Sequence, residues 1–488
     1  MNITVIIIFG WLALNLIVGL AAKRKETLNI EEYFVASKGF GLIILWFTLA
    51  AGWLSAFAFL GGPGWAFSRG APSFYIIIYC ASYPIMLYVL LPKVRALGEK
   101  YSYLTQIDLI ADRYKNNLIP IIMVLVSYIS MIPYVGLQMM GSGYIFKVAT
   151  GGIIGFNMGA FIAFGVVCIY VFTSGMRGVG WTTLLQGILM FTSALGAAVY
   201  IVWTQFGSLH KMFVALEKSY PEALTLPGRG EPMSIAMFAS SVLLTVLGGC
   251  MWPHIFQRFY TAKSVKTAKL TAALTPFQGI LNVAVTIIGL AGILLVTKTI
   301  KADEVLIEVL REHTSLWFFG IVCAGAMAAA MSTGSTVIHS IASMTGKDIY
   351  CRYVNPKASP NVVTNITRFA VLFFSALAYI FALKTPATLV YILLMAYGGI
   401  SQFLPAVVGA LFWPRANTKG VLAGLIVGLV ITGIFTFSSG NLKHPLGIHA
   451  GFWGLCINFL IFLIVSITTN PDPQNVVSKF FEKISREE

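Results

Sequence analysis

Charged residues are scarce in this chain of 488 residues. Asp, Glu, Lys and Arg together make up 10 % of the sequence, whereas an average soluble domain carries roughly 25 %. Hydrophobic residues make up 58 %, and the mean hydropathy is +0.83. This composition excludes a soluble globular enzyme, a nucleic-acid-binding protein and a disordered scaffold. The net charge of +15 does not alter that conclusion, because membrane proteins concentrate Lys and Arg in their cytoplasmic loops.

Motifs that carry catalysis or hold a cofactor are also missing. Five of the six cysteines lie inside apolar runs, and no Cys-x-x-Cys or Cys/His spacing of a metal site occurs. No nucleophile–base spacing or nucleotide-binding loop is present. The sequence therefore indicates neither an enzyme nor a cofactor-dependent protein. Nothing in it points to nucleic acid or to an obligate protein partner.

Long hydrophobic runs dominate what is present. A helix that crosses a membrane needs about 20 predominantly apolar residues, and about thirteen runs of this kind occur. They cover residues 3–22, 43–68, 72–92, 118–146, 152–173, 179–203, 233–252, 270–297, 315–345, 367–383, 386–412, 420–437 and 449–467. Most of the 33 Lys and Arg fall on one side when the loop after the first run is taken as cytoplasmic. This asymmetry predicts a multi-pass protein of the plasma membrane with its N-terminus outside and its C-terminus in the cytoplasm.

Acidic residues are absent from every predicted span. All 18 Asp and Glu lie in the loops. Proton-driven carriers and cation channels often rely on acidic side chains inside the membrane, so a cation handled by this chain has to bind neutral oxygens. The only ionisable side chain well inside a span is His339. It has two interpretations: a neutral histidine hydrogen-bonded to a neighbouring helix, or a residue of the inward exit path whose protonation hastens ion release.

Two predicted spans are interrupted by glycine and proline at matching positions. The second span contains Gly61-Gly62-Pro63-Gly64-Trp65, and the seventh contains Gly248-Gly249-Cys250-Met251-Trp252-Pro253. Carriers built on inverted repeats have broken helices at corresponding positions of their two halves, next to the binding site. Independent packing kinks give the same pattern and remain the alternative.

The ninth predicted span carries a dense cluster of hydroxyl groups. It reads Ser332-Thr333-Gly334-Ser335-Thr336. Hydroxyl oxygens suit a small hard cation such as Na⁺, with free carbonyls of an unwound stretch near residues 51–54 to complete its shell. Packing between helices through small residues is the other interpretation of such a cluster.

Four separated segments resemble the sodium:solute symporter family. They are Leu49-Ala50-Ala51-Gly52-Trp53-Leu54-Ser55-Ala56 with the glycines of residues 61–64, Pro253-His254-Ile255-Phe256-Gln257-Arg258-Phe259, Met331-Ser332-Thr333 with Asp348-Ile349-Tyr350, and Pro405-Ala406 with the residues up to Gly424. The resemblance implies an all-α integral membrane protein. It implies a LeuT-like inverted repeat of five plus five helices, with one extra helix at the N-terminus and two at the C-terminus.

This architecture divides the chain into six parts. They are an extra helix and cytoplasmic loop at 1–42, a first repeat at 43–203, an extracellular loop at 204–232, a second repeat at 233–412, two C-terminal helices at 413–467 and a cytoplasmic tail at 468–488.

The resemblance also places a sodium site. Carried over position by position, its ligands fall on the backbone carbonyls of Ala51, Leu54 and Ala329 and on the hydroxyls of Ser332 and Thr333. Some members have a second sodium site that uses an Asp where this chain has Thr183. The resemblance therefore implies one sodium ion, and we expect no other metal.

The same resemblance places the solute beside the broken helices. The candidate residues are Trp53, Ser55, Phe59, Tyr79, Gln138, Trp252 and Gln402. None carries a fixed charge, so an anionic solute would rely on the positive end of a half-helix and on the sodium ion itself. We predict sodium-coupled symport of a small organic solute (an organic acid, pantothenate-like or amino-acid-like) across the lipid bilayer by alternating access. A proton-coupled symporter and a non-transporting channel or receptor on the same bundle are the alternatives.

Overall fold

The structure, a computed structural model, describes residues 3–23, 29–230, 232–384 and 389–481. Within these ranges the chain is helical and has no β-strand, and one isolated bridge joins Phe40 to Ala262. The predicted all-helical class is thereby confirmed.

Ten helices occupy the first half of the described chain. They are α1 (Ile3–Ala21), α2 (Ile30–Val35), α3 (Leu42–Trp53), α4 (Gly62–Arg69), α5 (Phe74–Ser82), α6 (Pro84–Lys100), α7 (Gln106–Tyr114), α8 (Leu118–Ala149), α9 (Phe156–Phe206) and α10 (Leu209–Ser219).

Twelve helices follow in the second half of the described chain. They are α11 (Ile235–Gly248), α12 (Pro253–Thr261), α13 (Val265–Leu274), α14 (Gly279–Leu295), α15 (Val305–His313), α16 (Leu316–Met344), α17 (Pro360–Lys384), α18 (Leu389–Ile400), α19 (Leu404–Phe412), α20 (Thr418–Phe437), α21 (Ala450–Thr468) and α22 (Gln474–Phe481).

Two pairs of helices are broken spans. The chain bends by 54° between α3 and the helical segment that ends in α4, and by 47° between α11 and α12. The first helix ends at Trp53 because Leu54 takes an extended conformation, with φ −79° and ψ 93°. At the second break Trp252 is non-helical, with φ −59° and ψ 124°, and Pro253 begins α12. Proline suits that position because the first helical residue needs no N–H donor.

The number of spans is open to two counts. Among the described residues, ten helices are long and apolar enough to cross a membrane, or up to twelve if each bent pair is one span. The 51-residue helix α9 contains a break at Gly175, with φ 53° and ψ −141°, where the sequence predicts the boundary between two spans. The predicted number of thirteen is not confirmed and stays a prediction.

Helix α16 lies at the centre of the bundle. Every residue from Val322 to Met344 is buried, and the helix packs against α1, α8, α9 and α17. Helices α3 and α12, which adjoin the two breaks, also contact α16. The end of α3 at the first break lies next to the hydroxyl cluster.

Candidate sodium and solute sites

The break after α3 is supported by a side chain from α8. Gln138 Oε1 accepts a hydrogen bond from the backbone N–H of Ala56 at 2.9 Å, and Ser55 Oγ accepts one from the N–H of Phe57 at 3.1 Å. In a continuous helix the N–H of Ala56 would instead donate to the carbonyl of Gly52. The two side chains thus satisfy donors that the break exposes, and they leave carbonyls at the end of α3 available.

Hydroxyls of α16 contact these carbonyls directly. Ser332 Oγ donates to the carbonyl oxygens of Ala51 at 2.7 Å and of Ala329 at 3.0 Å. Thr333 Oγ1 lies 3.3 Å from the same Ala51 oxygen and 3.1 Å from that of Gly52. Four of the five residues predicted to bind sodium are therefore in hydrogen-bond contact with one another.

The fifth predicted ligand, Leu54, is the residue that follows α3, and its own N–H bonds to Ala50. Neither Ser332 nor Thr333 donates a hydrogen bond to the carbonyl of Leu54. The carbonyl of Gly52, which was not among the predicted ligands, contacts the hydroxyl of Thr333 instead. These buried oxygens all come from carbonyls and hydroxyls, which are the ligands a small hard cation prefers, and they carry no net charge. The donor set fits Na⁺.

The next hydroxyls along α16 behave differently. Ser335 Oγ donates to the carbonyl of Ser332 and Thr336 Oγ1 to that of Thr333, both at 2.9 Å. Each of these bonds stays within its own helix. Thr183, which stands where some relatives are expected to have an acid, is fully buried and its hydroxyl has no partner among the described residues.

A small aromatic cavity lies beside the same break. Its lining residues are Trp53, Phe57, Tyr79, Tyr134, Trp252, His254, Leu393 and Tyr397. The ring of Trp53 stacks on Tyr83 with centroids 4.1 Å apart. Gly249 makes this possible, since a Cβ there would lie 2.6 Å from the Trp53 ring. The cavity measures about 10 Å³, about the space that one water molecule needs, so a solute enters only when these rings move apart.

The seven predicted solute residues fall into three groups. Trp53, Tyr79 and Trp252 line the cavity. Ser55 and Gln138 hold the break in α3, as described above. Phe59 is fully buried without lining the cavity, and Gln402 is bonded to the carbonyls of Gly398 and Gly451.

Sequence reasoning missed several lining residues, above all His254. Its side chain is 2 % exposed, and neither ring nitrogen has a partner among the described residues. A signal was available, because His254 immediately follows the proline that begins α12. Tyr134, Leu393 and Tyr397 give no such signal, since aromatic and apolar side chains are common all along these spans.

His339 lies on α16 about two turns after Ser332. Its Nε2 is 2.8 Å from the carbonyl oxygen of Tyr33, and its Nδ1 has no partner in the described part of the chain. Tyr33 belongs to α2, a helix of six residues that the sequence assigned to a cytoplasmic loop. In the structure Tyr33, Phe34 and Val35 are completely buried. His339 therefore contacts a short helix that closes this end of the bundle, and both of its interpretations remain open.

Comparisons with known proteins give a consistent result. The family model described as "SSF: Sodium:solute symporter family" matches residues 33–428. The uncharacterized symporter YhjB of Bacillus subtilis (strain 168) is 32 % identical over 481 residues, which are 96 % of this chain and 98 % of the relative. The sodium/pantothenate symporter of Escherichia coli (strain K12) is 27 % identical, over 93 % of this chain and 94 % of the relative.

A solved structure shares the fold. It shows a Na⁺-coupled sialic acid symporter in a substrate-bound, outward-open state, and it superposes with a TM-score of 0.81 over 97 % of this chain and 99 % of that one, at 19 % identity. The relatives are transporters and not enzymes, as predicted. With a family match across most of its length, this chain belongs to the sodium:solute symporter family.

Proposed function

We propose that this protein couples the entry of one Na⁺ to the uptake of a small organic acid by alternating access. The observation that carries the proposal is the direct connection between the two candidate sites. Gly52, whose carbonyl contacts the hydroxyl of Thr333, is followed by Trp53, whose ring lines the aromatic cavity. A shift of the break that admits a solute also moves the carbonyls of the cation site, which is a physical basis for coupling.

The class of solute is inferred from the chemistry of the cavity lining and from the solutes of related proteins. The cavity offers aromatic faces and the neutral polar tips of tyrosine, tryptophan and histidine, and its lining includes no acidic residue. Two of the proteins named above are symporters of pantothenate and of sialic acid, and both compounds are carboxylic acids. A carboxylate beside a bound Na⁺ gains the electrostatic partner that the lining of the cavity does not supply.

Uptake into proteoliposomes tests this proposal. Radiolabelled pantothenate, proline, pyruvate and sialic acid are offered with an inward Na⁺ gradient, with equal Na⁺ on both sides, or with K⁺ in place of Na⁺. We expect at least one of these acids to accumulate under the Na⁺ gradient only. Accumulation driven by a pH gradient without Na⁺ favours the proton-coupled alternative. Equilibration without accumulation favours a channel.

We also propose the orientation that the charge distribution predicts, with the N-terminus outside and the tail inside the plasma membrane. An enzyme tag on the C-terminus that is active only in the cytoplasm tests it. Activity in whole cells supports the orientation, and an inactive tag on a correctly inserted protein contradicts it.

A further inference from the structure

One turn beyond the aromatic cavity, α12 carries buried polar groups that have no partner among the described residues. His254 lines the cavity, and Arg258 follows it at the spacing that puts two side chains on one face of a helix. The rise of 1.5 Å per residue places the two Cα atoms about 6 Å apart along the axis. Between them Gln257 donates to the carbonyl of Phe34 at 3.1 Å, while its own Oε1 is unbonded within the described chain.

The guanidinium group of Arg258 lacks a counter-ion among the described residues. The residue is 0 % exposed, its Nη1 contacts Met176 Sδ at 2.8 Å, and its Nε and Nη2 have no partner within the described ranges. By contrast Arg113, which is equally buried, pairs with Asp472 at 3.0 Å and donates to the carbonyl of Ala416 at 2.7 Å. A buried charge without a partner is strongly destabilising, and a contact with a thioether sulfur compensates for little of that cost. Such a group is stabilised as soon as an anion or water reaches it.

Helix α2 covers this region at the end predicted to be cytoplasmic. Its buried residues supply the carbonyl of Phe34 to Gln257 and the carbonyl of Tyr33 to His339. The helix is held at its rim by an ion pair between Glu32 and Arg177 and by one between Glu31 and Lys38 at 3.3 Å. Helix α2 is only six residues long and packs against α12, so its movement away from the bundle would uncover that part of α12.

We propose that Arg258 is an inner anion-binding site, which receives the carboxylate of the solute after it leaves the aromatic cavity and α2 has moved away. This inference rests on the proposed function. A guanidinium group binds a carboxylate through two parallel hydrogen bonds, and Arg258 has its Nε and one Nη free for such a pair. In the closed protein the same group is buried, so the site forms only on the inward-facing side of the cycle.

The test compares the two faces of the membrane. Right-side-out and inverted membrane vesicles are prepared from cells that produce the wild type, Arg258→Gln, Arg258→Lys or the control Lys263→Gln. Lys263 is an exposed cation at the same end of α12. Sodium-dependent uptake of pantothenate, proline, pyruvate and sialic acid identifies a transported probe, and the half-saturating concentration of that probe is then measured on each face.

We expect Arg258→Gln to raise the half-saturating concentration at least tenfold on the cytoplasmic face and less than twofold on the outer face. Arg258→Lys retains the positive charge but lacks the planar guanidinium group that binds a carboxylate through two hydrogen bonds. It should raise the half-saturating concentration less, about threefold, and on the cytoplasmic face only. Lys263→Gln should change neither face. If Arg258→Gln is not recovered as folded protein, Arg258→Lys decides alone by the same comparison.

Equal changes on both faces, or none on the cytoplasmic face, overturn the inner site and leave sodium-coupled symport standing. Sodium-driven transport of a solute without a carboxylate also overturns it, again without affecting sodium coupling. If the wild type takes up none of the four probes in a sodium-dependent manner, the proposed function fails, and the inner site fails with it.

Discussion

At the scale of single residues, neighbouring hydroxyls of α16 differ in what they contact. Ser332 and Thr333 reach carbonyls at the end of α3, whereas Ser335 bonds within its own helix. We predict that Ser332→Ala and Thr333→Ala each raise the Na⁺ concentration for half-maximal uptake by about tenfold, since losing a buried polar contact costs about 1–3 kcal/mol. Ser335→Ala is the matched control and should change it less than twofold. Equal effects of all three substitutions on initial uptake rates would remove the cation site from this cluster.

Asp303 gives a residue-scale prediction about pH. It lies in the loop between α14 and α15, where burial raises the pKa of its carboxyl to about 6 although the N–H of Leu389 donates to it. The folded state therefore favours the protonated form. Stability from this residue is fully present below the unfolded pKa of about 4 and is lost as the pH rises through 6. We predict that Asp303→Asn flattens the decline of the thermal unfolding temperature between pH 4 and 7. An unchanged slope in this variant contradicts the prediction.

The sequence alone singles out candidate site residues whose chemistry is unusual for a membrane helix. Ser332 and Thr333 stand in a dense hydroxyl cluster, and the structure brings them to the unwound end of α3. Gln138 was expected to bind solute, yet it bonds to the N–H of Ala56. A sequence shows that an amide is present on an apolar helix, but it does not show which neighbouring helix supplies the donor. For the same reason the lining role of Tyr397 was not predicted.

At the scale of helices, α7 links two separate segments at the end predicted to be cytoplasmic. Asp108 pairs with Lys347 at 2.7 Å and with Arg352 at 3.3 Å in the segment that extends α16. Asp112 pairs with Lys479 of α22. Burial disfavours the ionised form of Asp108, but Lys347 and further hydrogen bonds outweigh burial and lower its pKa. This carboxylate therefore contributes stability above its unfolded pKa, and the contribution is lost as the pH falls through its folded pKa.

We predict that Asp108→Asn loosens the contact between α7 and the extension of α16. The expected results are a lower thermal unfolding temperature and faster alkylation of Cys351, a partly buried thiol in that extension. Glu99→Gln is a suitable control, since Glu99 is 59 % exposed and its ion pair with Arg95 lies within α6. Alkylation is followed on the Cys351 peptide by mass spectrometry. A rate equal to that of the wild type would show that Asp108 does not hold the two segments together.

The two broken helices show how far sequence patterns reach at this scale. The second break falls at Trp252 and Pro253, inside the predicted interruption, because proline can only begin a helix there. The first break falls at Leu54, in the stretch near residues 51–54 that the sequence analysis expects to be unwound, and not at the glycines of residues 61–64. That break depends on Gln138 from α8, a contact between distant parts of the chain. Local sequence predicts where a helix is able to break, and packing selects the place.

At the scale of the whole molecule, composition alone predicted the class of protein. Scarce charge and long apolar runs indicated a helical membrane protein, and the family match confirms a transporter. The division into two repeats and the orientation of the termini remain predictions. They concern symmetry and the surrounding membrane, which pairwise contacts within the bundle do not report.

The last prediction concerns the charge moved in one transport cycle. The donor set at Ser332 and Thr333 fits one cation, whereas Ser335 and Thr336 bond within α16, and Thr183 stands where the family resemblance leads us to expect an acid in members with a second sodium site. One Na⁺ with one monocarboxylate is electrically neutral. We therefore predict that a potential of 100 mV, negative inside and set by a K⁺ gradient with valinomycin, changes monocarboxylate accumulation in proteoliposomes less than twofold. A second Na⁺ would carry one net charge, worth about 2.3 kcal/mol per 100 mV or about 50-fold in accumulation. Strong stimulation of monocarboxylate accumulation by the potential would thus contradict single-sodium coupling. A zwitterionic solute adds no charge, so the potential should stimulate its accumulation even when only one Na⁺ is coupled.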